Sequence, residues 1–129
     1  MRIEHIACWT DDVDRLAAFY EEYFHGAAGP KYSNAAKGFE SRFVSFGDGA
    51  RLEIMRTTTL SPVAIAAGAQ RMGLTHFALA LGSERAVDEL TLRLKGDGFA
   101  VLDGPRRTGD GYYESVVLDP DGNRIELTA

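Results

Sequence analysis

At 129 residues, with 45% hydrophobic and 26% charged side chains, the chain has the size and composition of one small globular domain, or of two half-domains sharing a core. A net charge of −5 without any Lys/Arg run argues against nucleic-acid binding. No apolar run approaches 18 residues and no leader pattern opens the chain, so a cytoplasmic protein without membrane contact is expected. The single cysteine, Cys8, excludes an internal disulfide and fits a reducing compartment.

Residues 2–9 alternate as a strand, with His5, Ala7 and Trp9 on one face and Glu4, Ile6 and Cys8 on the other. Thr10, Asp11 and Asp12 offer N-cap oxygens, and apolar residues recur at helical spacing over 13–24. His25-Gly26 stops that helix; the ring of His25 suits the helix dipole and has no catalytic role. A short strand is expected over 27–32, weakened by Gly29 and Pro30, then a loop over 33–38. Strands follow over 39–46 and 51–56, joined by a turn at Asp48-Gly49. Residues 57–73 read as a linker with one or two helical turns.

After Gly73 the pattern restarts. A strand over 74–81 places Leu74, His76, Ala78 and Ala80 on one face. Ser83 caps a helix running to about residue 95, with Ala86, Val87, Leu90, Leu92 and Leu94 as its apolar surface. A strand over 99–102 is limited by Gly104-Pro105, and strands over 112–118 and 123–128 complete the chain.

The order is β-α-β-β-β, linker, β-α-β-β-β, and the halves match in sequence. Gly47-Asp48-Gly49-Ala50-Arg51-Leu52-Glu53-Ile54 recurs as Asp121-Gly122-Asn123-Arg124-Ile125-Glu126-Leu127, and Phe39-Glu40-Ser41 resembles Tyr113-Glu114-Ser115. This is an internal duplication. The expected fold is α+β: one domain, 1–129, of two βαβββ modules (1–56 and 74–129) joined by the 57–73 linker. Each module is a curled sheet with one outer helix, and together they form a concave cup.

Strand parity sorts the faces. Leu52, Ile54, Ile125 and Leu127 face the helices, whereas His5, Glu53, His76 and Glu126 face the cup. Two imidazoles and two carboxylates suit a divalent ion, balance its charge, and leave two positions open in an octahedral shell. The bland alternative is a hydrogen-bonded histidine in each half and cross-strand ion pairs to Arg51 and Arg124. Spacing alone leaves the two readings even. Strand alternation lets Glu40 and Glu114 point inward, but ladder pairing is the preferred reading. Trp9, Phe43, Tyr112 and Tyr113 are candidates for an apolar substrate wall, and Arg42, Lys31, Lys37, Arg106 and Arg107 for surface cations. Cys8 reads as inert packing.

Four segments, Ile3-Glu4-His5-Ile6, Arg51-Leu52-Glu53-Ile54, Leu74-Thr75-His76-Phe77 and Asp119-Pro120-Asp121-Gly122-Asn123-Arg124-Ile125-Glu126, resemble the vicinal oxygen chelate superfamily, and the likeness spans essentially the whole chain. The His/Glu/His/Glu quartet is similar to the bacterial glyoxalase I (lactoylglutathione lyase) pattern. That resemblance implies a metal held by His5, Glu53, His76 and Glu126, with Zn or Ni favoured and Co, Mn or Fe compatible. It implies lyase or isomerase chemistry by proton transfer through a metal-stabilised enediolate, with Glu126 as base and Glu53 as its counterpart. It also implies a small-molecule substrate, such as a thiol adduct, and a homodimer whose cups form within one chain or by exchange between two. The quartet speaks against a bleomycin-type binding protein, which usually lacks these ligands. A fourth ligand also occupies a position that extradiol dioxygenase chemistry needs. A non-catalytic antibiotic- or metabolite-sequestering protein and a fosfomycin-type thiol or water transferase are the alternative functions.

Overall fold

The computed structural model describes residues 1–61, 69–70 and 72–129. Most of the helical turns expected in the linker fall on 62–68 and 71, outside the described residues. The chain divides into two compact units, Met1–Val63 and Ala64–Ala129, and among the described residues each is a mixed α+β layer of one curled sheet and one α-helix.

The first unit runs β1 (His5–Trp9), α1 (Val13–Phe24), β2 (Ala27–Ala28), β3 (Tyr32–Asn34), a 3-10 turn (Ala35–Lys37), β4 (Phe39–Ser45) and β5 (Arg51–Thr57). Asp12 caps α1, its carboxylate accepting from the backbone N–H of Asp14 and Arg15. His25 ends the helix in the left-handed conformation (φ 53°), and the Gly26 N–H returns to the Tyr20 carbonyl. The single strand expected over 27–32 is two short ones, β2 and β3, which both pair with β4. β3 and the 3-10 turn occupy most of what was expected to be loop. The sheet order is β1-β5-β4-β2, with β1 parallel to β5.

The second unit runs β6 (Phe77–Ala80), α2 (Glu84–Gly96), β7 (Val101–Arg107), β8 (Tyr113–Leu118) and β9 (Arg124–Thr128), in the order β6-β9-β8-β7. Again the first and last strands are parallel. Ser83 caps α2, accepting from the Ala86 N–H. Three expectations need correction. β6 begins at Phe77, so His76 lies just before the strand rather than within it. Leu92 is exposed, and Thr91 occupies the buried stripe instead. Its hydroxyl meets the Ser115 hydroxyl at 2.6 Å and donates to the Val87 carbonyl at 2.6 Å, so both polar groups are satisfied in the core. Finally, β7 does not stop at Gly104-Pro105. The strand crosses them through two register shifts that let a proline sit without a ladder N–H. Gly104 makes this crossing possible: φ is +78°, and a Cβ there would stand 2.5 Å from the Glu114 carbonyl oxygen.

Each core lies between sheet and helix. Leu16, Tyr20, Val44 and Ile54 are fully buried in the first unit; Val87, Leu94, Val117, Ile125 and Leu127 are in the second. Among the described residues, the opposite face of each sheet carries no helix of its own unit; it is termed the open face below. Turn chemistry differs between the copies. Gly122 supplies the positive φ (83°) in the second turn, but in the first it is Gly47 (65°) rather than Gly49. Asp119, buried, braces the second turn by accepting from the backbone N–H of Asp121 and Asn123 and from the Asn123 side chain.

Candidate metal half-sites and an ionic cleft

Parity places the four candidate ligands as the alternation requires. In β5, Leu52 and Ile54 are buried and Glu53 between them is partly exposed; in β9, Ile125 and Leu127 are buried and Glu126 is partly exposed. Parallel pairing then brings each histidine to its glutamate. Ala7 pairs with Glu53 and Ala78 with Glu126, so the histidine two residues earlier in the chain reaches the carboxylate over a small side chain.

His5 Nε2 stands 3.7 Å from a Glu53 carboxylate oxygen, and His76 Nε2 stands 3.4 Å from one of Glu126. Neither pair makes a hydrogen bond of ordinary length, typically about 2.7–3.2 Å for N–H···O. Two donors bound to one ion at about 2.0–2.2 Å stand roughly 3–3.5 Å apart. The pairs therefore have close to the spacing of co-ligands, and a neutral imidazole with a carboxylate is a donor set that suits divalent transition metals. Each unit supplies two donors: among the described residues, no group of three or more His, Cys, Asp or Glu forms a metal shell.

The surroundings of the two pairs differ. In the first unit, Glu4 accepts from His5 Nδ1 at 2.5 Å and also receives two hydrogen bonds from the Arg51 guanidinium. The His5 and Arg51 hydrogen bonds hold the Glu4 carboxyl below the usual range. Arg51 is thus committed to Glu4, not to Glu53, and lies 4.1 Å over the Phe43 ring. Phe43 in turn meets the His5 ring edge-to-face at 5.5 Å. Farther along this face, Phe39 makes tilted or edge contacts with Trp9 (6.4 Å) and Tyr32 (6.3 Å).

In the second unit, His76 and Glu126 line a cleft of about 490 Å³ with Glu114, Arg106, Arg124 and Asp103. Arg106 bridges Asp103 (2.6 Å) and Glu114 (3.4 Å). Glu114 is only 9% exposed. Burial pushes its carboxyl up, and the nearby Glu126 charge and a hydrogen bond to Glu126 add to this, against the pull of Arg106.

Strand register sets Glu114 apart from Glu40. Phe43 pairs with Glu53 and Val116 with Glu126, so Phe43 and Val116 are equivalent, as are Ser41 (opposite Met55) and Glu114 (opposite Thr128). The likeness of Phe39-Glu40-Ser41 to Tyr113-Glu114-Ser115 is displaced by one residue, and one residue reverses the face. Glu40 accordingly sits on the helix side and pairs with Arg56 (3.7 Å), its ladder partner. Glu114 faces the cleft and has Arg106 as its ladder partner as well. Counting back from Glu126 through the turn would have found it.

Of the four candidate wall residues, Phe43 and Trp9 lie on the open face of the first unit, Trp9 being 48% exposed. Tyr112 is exposed just before β8. Tyr113 lies on the α2 side, its hydroxyl donating to Asp88 at 2.7 Å, an interaction that pushes the phenol up. Of the candidate cations, Arg42 and Lys31 pair with Asp14, and Arg107 pairs with Glu84. Only Arg106 of these lines the cleft.

The family model for the Glyoxalase/Bleomycin resistance protein/Dioxygenase superfamily matches residues 2–127. Uncharacterized protein YqjT of Bacillus subtilis (strain 168) is 39% identical over 62 residues, a match spanning 46% of this chain and 48% of that protein. A glyoxalase I mutant from Zea mays superposes with a TM-score of 0.79 at 24% identity, over 98% of this chain but 44% of the maize chain. A protein described as a possible glyoxalase from Bacillus cereus superposes at 0.73 with 27% identity, over 100% and 99% of the two chains. The matches therefore span less than half of YqjT and of the maize enzyme. By its family match and its paired modules, the chain belongs to the Glyoxalase/Bleomycin resistance protein/Dioxygenase superfamily, the vicinal oxygen chelate proteins.

Proposed function

We propose that the chain is a divalent-metal-dependent lyase or isomerase of the glyoxalase I type, with His5, Glu53, His76 and Glu126 as ligands. The observation that carries this reading is the repetition. Each unit presents one imidazole nitrogen and one carboxylate oxygen on its open face, 3.7 and 3.4 Å apart, close to co-ligand spacing and without a hydrogen bond of ordinary length between them. Duplication alone accounts for the recurrence; what supports a shared use is that the pair is kept in both units while its neighbours differ, as Phe43 and Val116 do. The two pairs would complete one ligand set, either within a chain or by exchange between the chains of a homodimer. With Cys8 as its one cysteine the chain can form no internal disulfide, which supports a reducing, cytoplasmic setting.

Zn or Ni suits the donor set best, with Co, Mn or Fe also compatible. Such an ion, when bound, would polarise a carbonyl or hydroxyl of the substrate and make the neighbouring C–H more acidic. Glu126 would take that proton onto a carboxylate oxygen and return it to the adjacent carbon, a transfer with no net change in atoms. The cleft beside Glu126 supports it as the base over Glu53: it has room for a small substrate, and Arg106 and Arg124 line it. The proposed substrates are small 2-oxo compounds or their thiol adducts.

The test is turnover of methylglyoxal–thiol hemithioacetals with Zn²⁺ or Ni²⁺ and after chelation. Metal-dependent turnover is expected. Absence of turnover across several thiols, with the metal bound, would reject the lyase reading; absence of metal binding would reject its basis.

A further inference from the structure

We propose that Glu4 is the positioning residue of the first half-site, fixing the tautomer and the ring plane of His5 so that Nε2 is presented as a bare lone pair beside Glu53. This inference rests on the metal reading for its purpose but not for its geometry. A carboxylate can only accept a hydrogen bond. Its contact with His5 Nδ1 at 2.5 Å therefore puts the proton on Nδ1, and a neutral ring then has none on Nε2. Glu4 is itself held by the two hydrogen bonds from Arg51. Arg51 lies over Phe43, and Phe43 closes the circuit against the edge of the His5 ring. Four side chains thus form a closed ring of contacts in which none can turn without breaking two of them.

The second unit lacks this circuit, which makes the ring of contacts a property of one copy rather than of the fold. The residue before His76 is Thr75, whose hydroxyl meets Nδ1 at 3.3 Å. A hydroxyl can donate or accept, so it satisfies either tautomer and selects neither. The position of Phe43 is taken by Val116, which has no ring to face a cation or an imidazole. A carboxylate behind a ligating imidazole raises its basicity and orients it, and loss of such a partner typically costs about 10–100-fold in metal affinity.

The experiment uses the full chain, with ¹⁵N-labelled histidine, in the metal-free state. Two-bond ¹H–¹⁵N correlations report the tautomer of each of its three histidines. His5 is expected with the proton on Nδ1 in the wild type and in Glu4→Gln, whose amide oxygen still accepts. Glu4→Leu should shift His5 toward the Nε2-protonated form, and Thr75→Val should move His76 less. Co²⁺ titration, followed by visible absorption, should show about 10–100-fold weaker binding for Glu4→Leu, partial rescue in Glu4→Gln, and a smaller change for Thr75→Val. An unchanged His5 tautomer in Glu4→Leu, or unchanged Co²⁺ affinity in that variant, overturns the proposal. If the wild type takes up no Co²⁺, the metal reading falls, and the tautomer measurement alone decides whether Glu4 positions His5.

Discussion

The open faces of the two units began as copies and now differ in kind. The first is aromatic and locked: His5 is gripped by Glu4, Arg51 and Phe43, and Phe39 links Trp9 to Tyr32. The second is ionic and hollow: His76 and Glu126 line a cleft with Glu114, Arg106, Arg124 and Asp103. Backbone topology and the His–Glu pair are common to both, while the side chains around the pair are not. The difference motivates the proposed division of tasks. A locked imidazole is suited to holding an ion, and a carboxylate at the edge of a polar cleft is suited to moving a proton.

The sharpest way to break this division is to remove each carboxylate's basicity in turn. Glu126→Gln, with metal content checked, should lower kcat by about 10²–10⁴-fold, the range for loss of a general base. Glu53→Gln should lower it less. Equal losses would erase the functional distinction between the units.

The structural equivalence should persist where the chemistry diverges. Ile54→Ala and Leu127→Ala, at matching fully buried positions, should each destabilise by about 2–5 kcal/mol in urea unfolding, with little difference between them. A large disparity would mean that one unit carries the stability of the chain.

Mixing His5→Ala chains with His76→Ala chains asks how the half-sites combine. If the halves are exchanged between chains, half of the sites in each heterodimer regain a complete ligand set and turnover returns. If each chain builds its own site, turnover stays absent.

The smallest effect concerns Glu114. Its raised pKa means the folded state holds this proton more tightly than the unfolded chain does. Ionisation of Glu114 is therefore destabilising: the cost is absent below the ordinary carboxylate range and grows as pH rises through the raised value. Glu114→Gln should accordingly gain on the wild type in thermal midpoint from about pH 4.5 upward and converge with it below. A constant gap across that range would contradict the shift.

Much of this architecture was readable in the chain. Helix periodicity and the caps Asp12 and Ser83 placed both helices, because local spacing and local hydrogen bonds determine them. Parity in β5 and β9 separated Glu53 and Glu126 from the buried aliphatics beside them, since one face of each strand is fully covered. Three of the readings that the structure changes share a cause: they depend on pairing with other strands. Gly104-Pro105 reads locally as a stop, yet β8 supplies the ladder and the bulges absorb the proline. Glu114 reads as the twin of Glu40, yet strand register turns it to the other face. Tyr113 reads as a wall residue, yet the same register sends it to Asp88. His5 and His76 look alike in sequence, and only their contacts reveal that one is locked and the other is not.

Metal stoichiometry tests the central claim most directly. Purified chain, stripped with chelator and titrated with Zn²⁺ or Co²⁺, should bind one ion per chain, and His5→Ala, Glu53→Gln, His76→Ala and Glu126→Gln should each weaken that binding, the histidine variants most. Binding that survives unchanged in both histidine variants, or no stoichiometric binding by the wild type, would contradict it.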